Sequence, residues 1–165
     1  MSCDNDMCNF IKKIIFYPPI LSAIAAAGCI SLLALMSDAT STFILWMIPT
    51  FGASVVLITA LPNSPLARPK NIIFGHLISA AAGVLIATIL IPSFYSLGIA
   101  VGLAIFFMMI TDCLHPPAGG NPILVILSGS ILEFNLLPLA VGVLFISIYA
   151  VILNKIILKR DYPWF

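Results

Sequence analysis

Residues 115–121 read His-Pro-Pro-Ala-Gly-Gly-Asn and lie between two long apolar segments. Prolines and glycines interrupt helices, and a lipid bilayer tolerates such a break only where protein or a water-filled cavity satisfies the freed backbone groups. This stretch therefore predicts a polar site inside a membrane protein.

The composition of the chain agrees with a membrane location. Of its 165 residues, 62% are hydrophobic and 8% are charged, and the mean hydropathy is +1.20. These values exclude an ordinary soluble domain. No glycine-rich phosphate loop with its lysine is present, so coupling to ATP on this chain is not expected. We also expect no cofactor, no bound metal and no nucleic-acid partner.

Six apolar segments are candidates for membrane spans. A helical span needs about 20 mostly apolar residues. The candidates are residues 18–36, 43–61, 72–91, 95–111, 116–132 and 136–158. The loops between them are short, so we expect a single transmembrane domain over residues 1–165, all-α, with no room for a soluble catalytic domain.

The basic residues predict the orientation. With six spans, all seven basic residues fall on one side, whereas the opposite loops carry only Asp38 and Glu133. The positive-inside rule then places both termini in the cytoplasm, and we expect the inner membrane of a bacterium. If the second segment were a re-entrant hairpin, this asymmetry would be lost. The basic residues are Lys12, Lys13, Arg68, Lys70, Lys155, Lys159 and Arg160.

An internal repeat relates the two halves of the chain. Residues 49–57 can be laid over residues 116–124 with matching proline, glycine and leucine, and the third segment of each half carries an early glycine, Gly75 or Gly142. Repeats of three spans run in opposite directions, as in many secondary transporters. We therefore expect inverted repeats over about 18–91 and 95–158. Close packing of helices at small residues is the alternative explanation.

The repeated stretches predict two short helices. Proline is favoured in the first turn, so Pro49 and Pro116 or Pro117 are expected to start helices two and five below the membrane surface. Their free N–H groups would then converge on one pocket that binds a small anion weakly. The expected site residues are Pro49, Thr50, Gly52, Ser54, Pro116, Pro117, Gly119, Gly120 and Asn121, in which the glycines allow close approach to the backbone.

Several ionisable residues are candidates for coupling. His76 and His115 are the only histidines, and either could titrate near neutral pH. His115 next to Asp112 suggests a proton-coupled pair, although a loop-capping role explains His115 equally well. Arg68 and Lys70 could attract anions to a cytoplasmic mouth or could serve only as topology determinants.

Two motifs resemble the HPP family of integral membrane proteins. One is His115 to Gly119; the other comprises residues 51–54, 64–71 and 75–77. The resemblance covers nearly the whole chain and implies transport of a small anion, since plastid and cyanobacterial members are regarded as nitrite transporters. It also implies His115, Pro116, Pro117, Gly119, Gly52, Ser54, Arg68 and His76 as the positions of interest. The chain departs from the family at residues 120–122, Gly-Asn-Pro, where Ala-Thr commonly follows the glycine.

We therefore expect a secondary transporter or channel-like facilitator of a small monovalent anion, nitrite first, with or without a coupled proton. A homodimer is expected because six short spans offer little lateral area. The alternative is a membrane accessory or assembly protein whose glycine-rich helices pack against a partner. An intramembrane enzyme ranks third, since no serine with an evident base is visible. Free thiols are expected at Cys3 and Cys8, with metal binding by this pair as the alternative.

Overall fold

The computed structural model describes residues 18–39, 48–128 and 136–162, which form six α-helices. Two 3-10 helices, Pro65–Ala67 and Pro116–Gly120, precede the third and fifth α-helices, and a π-helix, Ile152–Ile157, continues the sixth. No strand occurs in the three described ranges, so the predicted all-α membrane protein is confirmed. The helices are α1 (Pro18–Ala39), α2 (Pro49–Ala60), α3 (Pro69–Ile89), α4 (Phe94–Ile110), α5 (Asn121–Leu127) and α6 (Leu136–Val151).

The helices differ in their capacity to cross a bilayer. Within the described ranges, three are long and apolar enough, namely Pro19–Met36, Pro69–Ile89 and Leu136–Ile157. Helix α4 has 17 residues, α2 has 12 and α5 has seven. At 1.5 Å per residue, α2 is about 18 Å long against a hydrocarbon core of about 30 Å. The predicted short second and fifth helices are confirmed, and neither can cross the bilayer alone.

Prolines determine where α2 and α3 begin. Pro49 and Pro69 each lie in the first turn, after the extended residues Ile48 (φ −72°, ψ 124°) and Arg68 (φ −65°, ψ 145°). A residue before proline is restricted to such extended conformations, and the first turn loses nothing by the missing N–H. The predicted start of the second helix at Pro49 is confirmed.

The fifth segment begins differently from the prediction. Pro116 and Pro117 open a 3-10 helix, and α5 starts only at Asn121. The prediction that Pro116 or Pro117 starts a helix is confirmed, but this helix is 3-10 over its first five residues and becomes α-helical only at Asn121, since two of those five residues are glycines, which are poor α-helix formers. The predicted end of this segment, residue 132, lies outside the described residues.

Helix α4 is capped at both ends. The side chain of Ser93 accepts from the Ser96 amide at 3.2 Å, and the Ser93 amide donates to the Ser96 hydroxyl at 2.9 Å, which forms a capping box. At the other end, the amides of Asp112 and Cys113 return to carbonyls of the last turn, with Asp112 in the left-handed conformation (φ 51°). This is a Schellman motif, and it ends the helix sharply before His115.

Helix α3 lies at the centre of the bundle, where it packs against α4, α5 and α6, while α2 packs against α1 and α6. The largest buried apolar cluster fills the space between α1, α2, α3 and α6, with Phe51 and Ile146 among its fully buried side chains. The outer surface is apolar, with Ile91 83% exposed and Phe94 74% exposed. Such a surface fits a lipid environment rather than water.

One end of the bundle gathers three separate segments. Lys70 forms an ion pair with Asp112 at 3.1 Å, and the amide group of Asn71 donates to the Leu114 carbonyl at 2.8 Å. The Tyr162 hydroxyl donates to the carbonyl of Ala67. One end of the bundle therefore holds the 64–69 loop, the turn after α4 and the C-terminal tail. The charge pattern also assigns these three segments to one side. Lys12 and Lys13 lie outside the described residues.

The two proposed repeats exchange contacts at their early glycines. A Cβ at Gly75 of α3 would lie 2.7 Å from Cβ of His115, and a Cβ at Gly142 of α6 would collide with the Phe51 ring. Each third helix thus packs closely on the opening stretch of the other half. A two-fold relation between repeats produces such reciprocal contacts, and the inverted division at about 18–91 and 95–158 stays a prediction.

Candidate functional site

Five polar side chains meet inside the bundle, and we call them the polar network. Thr50 and Ser54 come from α2, His76 from α3, His115 from the residue before the 3-10 helix, and Asn121 from the first residue of α5. Thr50 is 8% exposed and the other four are 0% exposed. No water-sized space therefore touches the side chains of those four residues.

The Ser54 hydroxyl is the junction of the network. Its Oγ lies 2.9 Å from Nε2 of His76, 2.9 Å from Nε2 of His115 and 3.1 Å from the Thr50 carbonyl oxygen. The centroids of the two imidazole rings are 5.2 Å apart. Thr50 and Ser54 share one face of α2 because they are four residues apart. One hydroxyl thus links two imidazoles from different segments.

Asn121 joins the first turn of α2 to the start of α5. Its Oδ1 accepts from the Thr50 hydroxyl at 2.9 Å, and its Nδ2 lies 2.9 Å from Nδ1 and 3.2 Å from the carbonyl oxygen of His76. Gly120 permits this approach, since a Cβ there would lie 2.8 Å from Cγ2 of Thr50. The ends of the two short helices therefore meet through side chains.

This contact corrects the predicted pocket of free N–H groups. The Phe51 amide already donates to the Ile48 carbonyl at 2.9 Å, and the side chains of Thr50 and Asn121 occupy the junction. A Cβ at Gly52 or Gly119 would meet nothing within 4 Å, so open space lies beside both glycines, and their role in letting an anion approach the backbone stays a prediction. Polar side chains fill the centre, where we expected an open pocket.

The 64–69 loop closes the network at one end. Nδ1 of His115 lies 2.8 Å from the Leu66 carbonyl oxygen, which ties this loop to the imidazole. The Ser79 hydroxyl donates to the Ala118 carbonyl and the Asn71 amide group donates to the Leu114 carbonyl, so α3 holds the chain on both sides of His115. These contacts fix the ring that faces Ser54.

Sequence reasoning did not single out these supporting residues. Ser79 lies three residues after His76, on the same face of α3, and that spacing is a signal that could have found it. Asn71 belongs to the block of residues 64–71 but was not assigned a role. Leu66 contributes only its backbone carbonyl, and no side-chain pattern could have indicated it.

The expected pair between Asp112 and His115 does not form. The Asp112 side chain is 98% exposed and binds Lys70, whereas His115 binds Ser54 and Leu66. The physical reason is the left-handed turn at Asp112, which ends α4 and leaves this carboxylate at the surface while the chain turns inward.

The remaining predicted residues surround the network without joining it. Pro49 and Pro116 are exposed, and Pro117 is half-buried. Arg68 is half-buried at the start of α3, and within the described part of the chain its Nε is a buried polar atom with no hydrogen-bond partner. Arg68 belongs to the 64–69 loop, which we call the closing loop, and Lys70 lies next to it at the same end of the bundle.

Metal ligands are not clustered in the described part of the chain, since it holds no group of three or more His, Cys, Asp or Glu side chains placed to bind a metal. Cys29 and Cys113 are buried free thiols. Cys3 and Cys8 lie outside the described residues, so free thiols and metal binding by this pair both stay predictions.

Comparison with known proteins finds a family match over nearly the whole chain. The family described as HPP, transmembrane region, matches residues 13–163. Two transmembrane proteins of Dictyostelium discoideum are each 34% identical to the chain, over 129 and 125 residues. These alignments cover 73% and 71% of this chain but 42% and 44% of the relatives, so the chain spans less than half of their length. No solved structure matches.

Proposed function

Because this chain belongs to the HPP family of transmembrane proteins, we propose that it transports a small monovalent anion, nitrite first, across the bilayer. The chemistry of the polar network carries this proposal. Each of its five side chains has a hydrogen-bond donor, and none is a carboxylate. Such a set of donors, with no negative charge to repel it, suits an anion. Nitrite is the anion that the family resemblance implies.

Energetics favour a functional role for the network. Polar side chains buried at membrane depth are expensive, and those that persist usually mark substrate pathways. Four of these side chains are 0% exposed in a chain that is 62% hydrophobic. Apolar side chains could fill this volume without the cost of burying two imidazoles, a hydroxyl and an amide. We infer that the cost is retained for binding.

The closed geometry favours a transporter over a channel-like facilitator. An anion can reach Ser54 or His76 only by displacing a hydrogen bond of the network, because no water-sized space touches them. Each displaced bond has a net worth of about 1 kcal/mol, so the site would bind weakly and release readily. Movement of the 64–69 loop is the simplest route, and Arg68 and Lys70 would draw anions to that end.

We further propose that the end with the 64–69 loop and the tail faces the cytoplasm of a bacterium, and that the protein is a homodimer. The Lys70, Lys159 and Arg160 side chains at this end support the orientation. A C-terminal green fluorescent protein fusion should fluoresce in cells, which an external C-terminus would prevent. The mass of the protein in detergent, measured by light scattering, tests the dimer.

Flux into proteoliposomes tests the proposed activity. Purified protein should carry nitrite into vesicles faster than empty liposomes do. Thr50→Val removes the hydroxyl that donates to Asn121 and should lower the rate roughly tenfold, which corresponds to about 1.4 kcal/mol. The matched control is Thr59→Val, since the Thr59 hydroxyl is also buried but donates to its own helix at Val55. Equal rates with wild-type protein and empty vesicles would count against transport.

The contact between Ser54 and His115 also resembles a nucleophile and its base, which the sequence did not suggest. The 2.9 Å distance from Oγ to Nε2 is suitable for proton abstraction. We nevertheless propose that the chain is not an enzyme, because Ser54 and both imidazoles are 0% exposed. A fluorophosphonate probe should leave Ser54 unlabelled. Labelling that is lost in Ser54→Ala would favour a hydrolase instead.

An accessory or assembly protein is the remaining alternative. Its glycine-rich helices would be packing faces for a partner protein. Copurification of a fixed partner, together with no effect of nitrite on thermal stability, would support this alternative. The burial of the network within a single chain favours transport, since a packing face would be exposed before the partner binds.

A further inference from the structure

The hydrogen bonds of His115 define its neutral tautomer. The Leu66 carbonyl oxygen, 2.8 Å from Nδ1, can only accept, so Nδ1 carries the proton. In a neutral imidazole the other nitrogen is then an acceptor. Nε2 of His115 therefore needs a donor, and the Ser54 hydroxyl at 2.9 Å is that donor.

The other imidazole has the opposite tautomer. Oδ1 of Asn121 accepts from Thr50, which leaves the Asn121 amide nitrogen as the donor to Nδ1 of His76 at 2.9 Å. The proton of neutral His76 therefore sits on Nε2, where it is donated to Ser54 Oγ at 2.9 Å. In the neutral network, Ser54 accepts from His76 and donates to His115.

A second, protonated arrangement requires only the rotation of one hydroxyl. If Nε2 of His115 gains a proton, this nitrogen becomes a donor to Ser54 Oγ. The Ser54 hydrogen can then turn to the Thr50 carbonyl oxygen, 3.1 Å away, while Oγ accepts from both imidazoles. Every donor in the network keeps an acceptor, and no heavy atom has to move.

The surroundings offer this imidazolium no counter-charge. The elements around His115 carry His76 and Lys70 on α3, Arg68 in the 64–69 loop, Asp112 and Cys113 in the turn before His115, and Lys159, Arg160, Asp161 and Tyr162 in the tail. Both carboxylates, Asp112 and Asp161, are exposed, and α2 and α5 contribute uncharged Thr50, Ser54 and Asn121. In the part of the chain that the structure describes, the ion pair found is Lys70 with Asp112, whose carboxylate is 98% exposed. A buried charge without a partner is strongly unfavourable.

We propose that His115 binds one proton together with the transported anion, and that Ser54 is the hydroxyl that switches between the two states. This inference rests on the proposed anion transport and adds the coupling ion to it. The proton comes from water on the side where the anion enters, binds Nε2 of His115, and leaves with the anion on the other side. Because the pair carries no net charge, transport is electroneutral, and by linkage each partner strengthens binding of the other.

Proton uptake on anion binding is the direct test. Sodium nitrite is added to purified full-length protein in detergent with a pH indicator and little buffer, and binding is followed in parallel by calorimetry. The wild type should take up one proton for each nitrite bound. His115→Asn keeps a donor for the Leu66 carbonyl but cannot be protonated, so proton uptake should be lost. Ser54→Ala removes the switching hydroxyl and should also abolish most of the uptake.

Ser147→Ala is the matched control. Ser147 is a buried serine whose hydroxyl donates to its own helix at Val143, as Ser54 can to Thr50, but it lies outside the network. This variant should take up protons as the wild type does. Nitrite binding without proton uptake in the wild type would overturn this inference alone, and uptake retained in His115→Asn would overturn it as well. Absence of nitrite binding would end both this inference and the proposed transport.

Discussion

Replacement of Gly75 by alanine tests whether the close approach of α3 positions His115. The new Cβ would lie 2.7 Å from Cβ of His115 and 3.0 Å from the Cys113 carbonyl oxygen, whereas ordinary contacts begin at 3.4 Å. His115 must therefore move by several tenths of an ångström. Its hydrogen bonds to Leu66 and Ser54, now 2.8 and 2.9 Å long, would stretch towards the limit of a hydrogen bond.

The opposing effects on stability can be compared. Overpacking of a buried contact costs about 1–3 kcal/mol, and a weakened buried hydrogen bond adds about 1 kcal/mol or more. Alanine gains up to about 1 kcal/mol over glycine in a helix interior. The net expectation for Gly75→Ala is a loss of about 2 kcal/mol in the free energy of unfolding.

Unfolding in detergent titrated with sodium dodecyl sulfate, followed by circular dichroism, measures this loss. Gly98→Ala is the control, since Gly98 lies inside α4 and a Cβ there would meet nothing within 4 Å. Gly98→Ala should show only the gain in the free energy of unfolding that alanine gives over glycine in a helix interior. Equal stability of the two variants would refute the argument that α3 packs on His115 through Gly75.

Three further predictions concern the end of the bundle that carries the closing loop. Asn154→Ala should lower the free energy of unfolding by about 1–3 kcal/mol. The Asn154 side-chain amide donates to the Ile58 carbonyl at 3.0 Å, and in the variant this buried carbonyl would lose that donor. The same detergent titration measures the loss. Burial raises the pKa of the Tyr162 phenol above its ordinary value of 10.0, so the folded state holds this proton more tightly than the unfolded chain. The resulting stability is complete below pH 10.0 and is lost as the pH rises further, and a pH series should show a smaller loss in Tyr162→Phe than in the wild type. Asp112→Gly should be more stable than Asp112→Ala by about 1 kcal/mol, because residue 112 has φ 51°, a left-handed conformation that is unfavourable for alanine but not for glycine. Both variants lose the ion pair with Lys70, so its loss cancels in the comparison. Equal melting temperatures would contradict this.

Local features account for the predictions that succeeded. Composition alone indicated the membrane, because a chain this apolar cannot be solvated by water. Pro49 alone indicated the start of α2, because the proline ring restricts its own backbone and that of Ile48. Composition is a property of the sequence itself, and the restriction by proline acts within a few residues. Both can therefore be read from the sequence. The same reasoning indicated a helix start at Pro116 but not the 3-10 form of its first five residues, which include a second proline and two glycines.

The sequence by itself determined that the chain is an all-α membrane protein, that its second and fifth helices are short, and that Thr50, Ser54, His76, His115 and Asn121 deserve suspicion. Only the tertiary structure decided that Ser54 lies within hydrogen-bond distance of both imidazoles, and that Asp112 pairs with Lys70 instead of His115. The contacts of Ser54 join residues that are 22 and 61 positions apart, and they depend on how closely α2 and α3 approach the segment at His115. No local pattern encodes that distance, because it results from side-chain packing between helices that are remote in the chain.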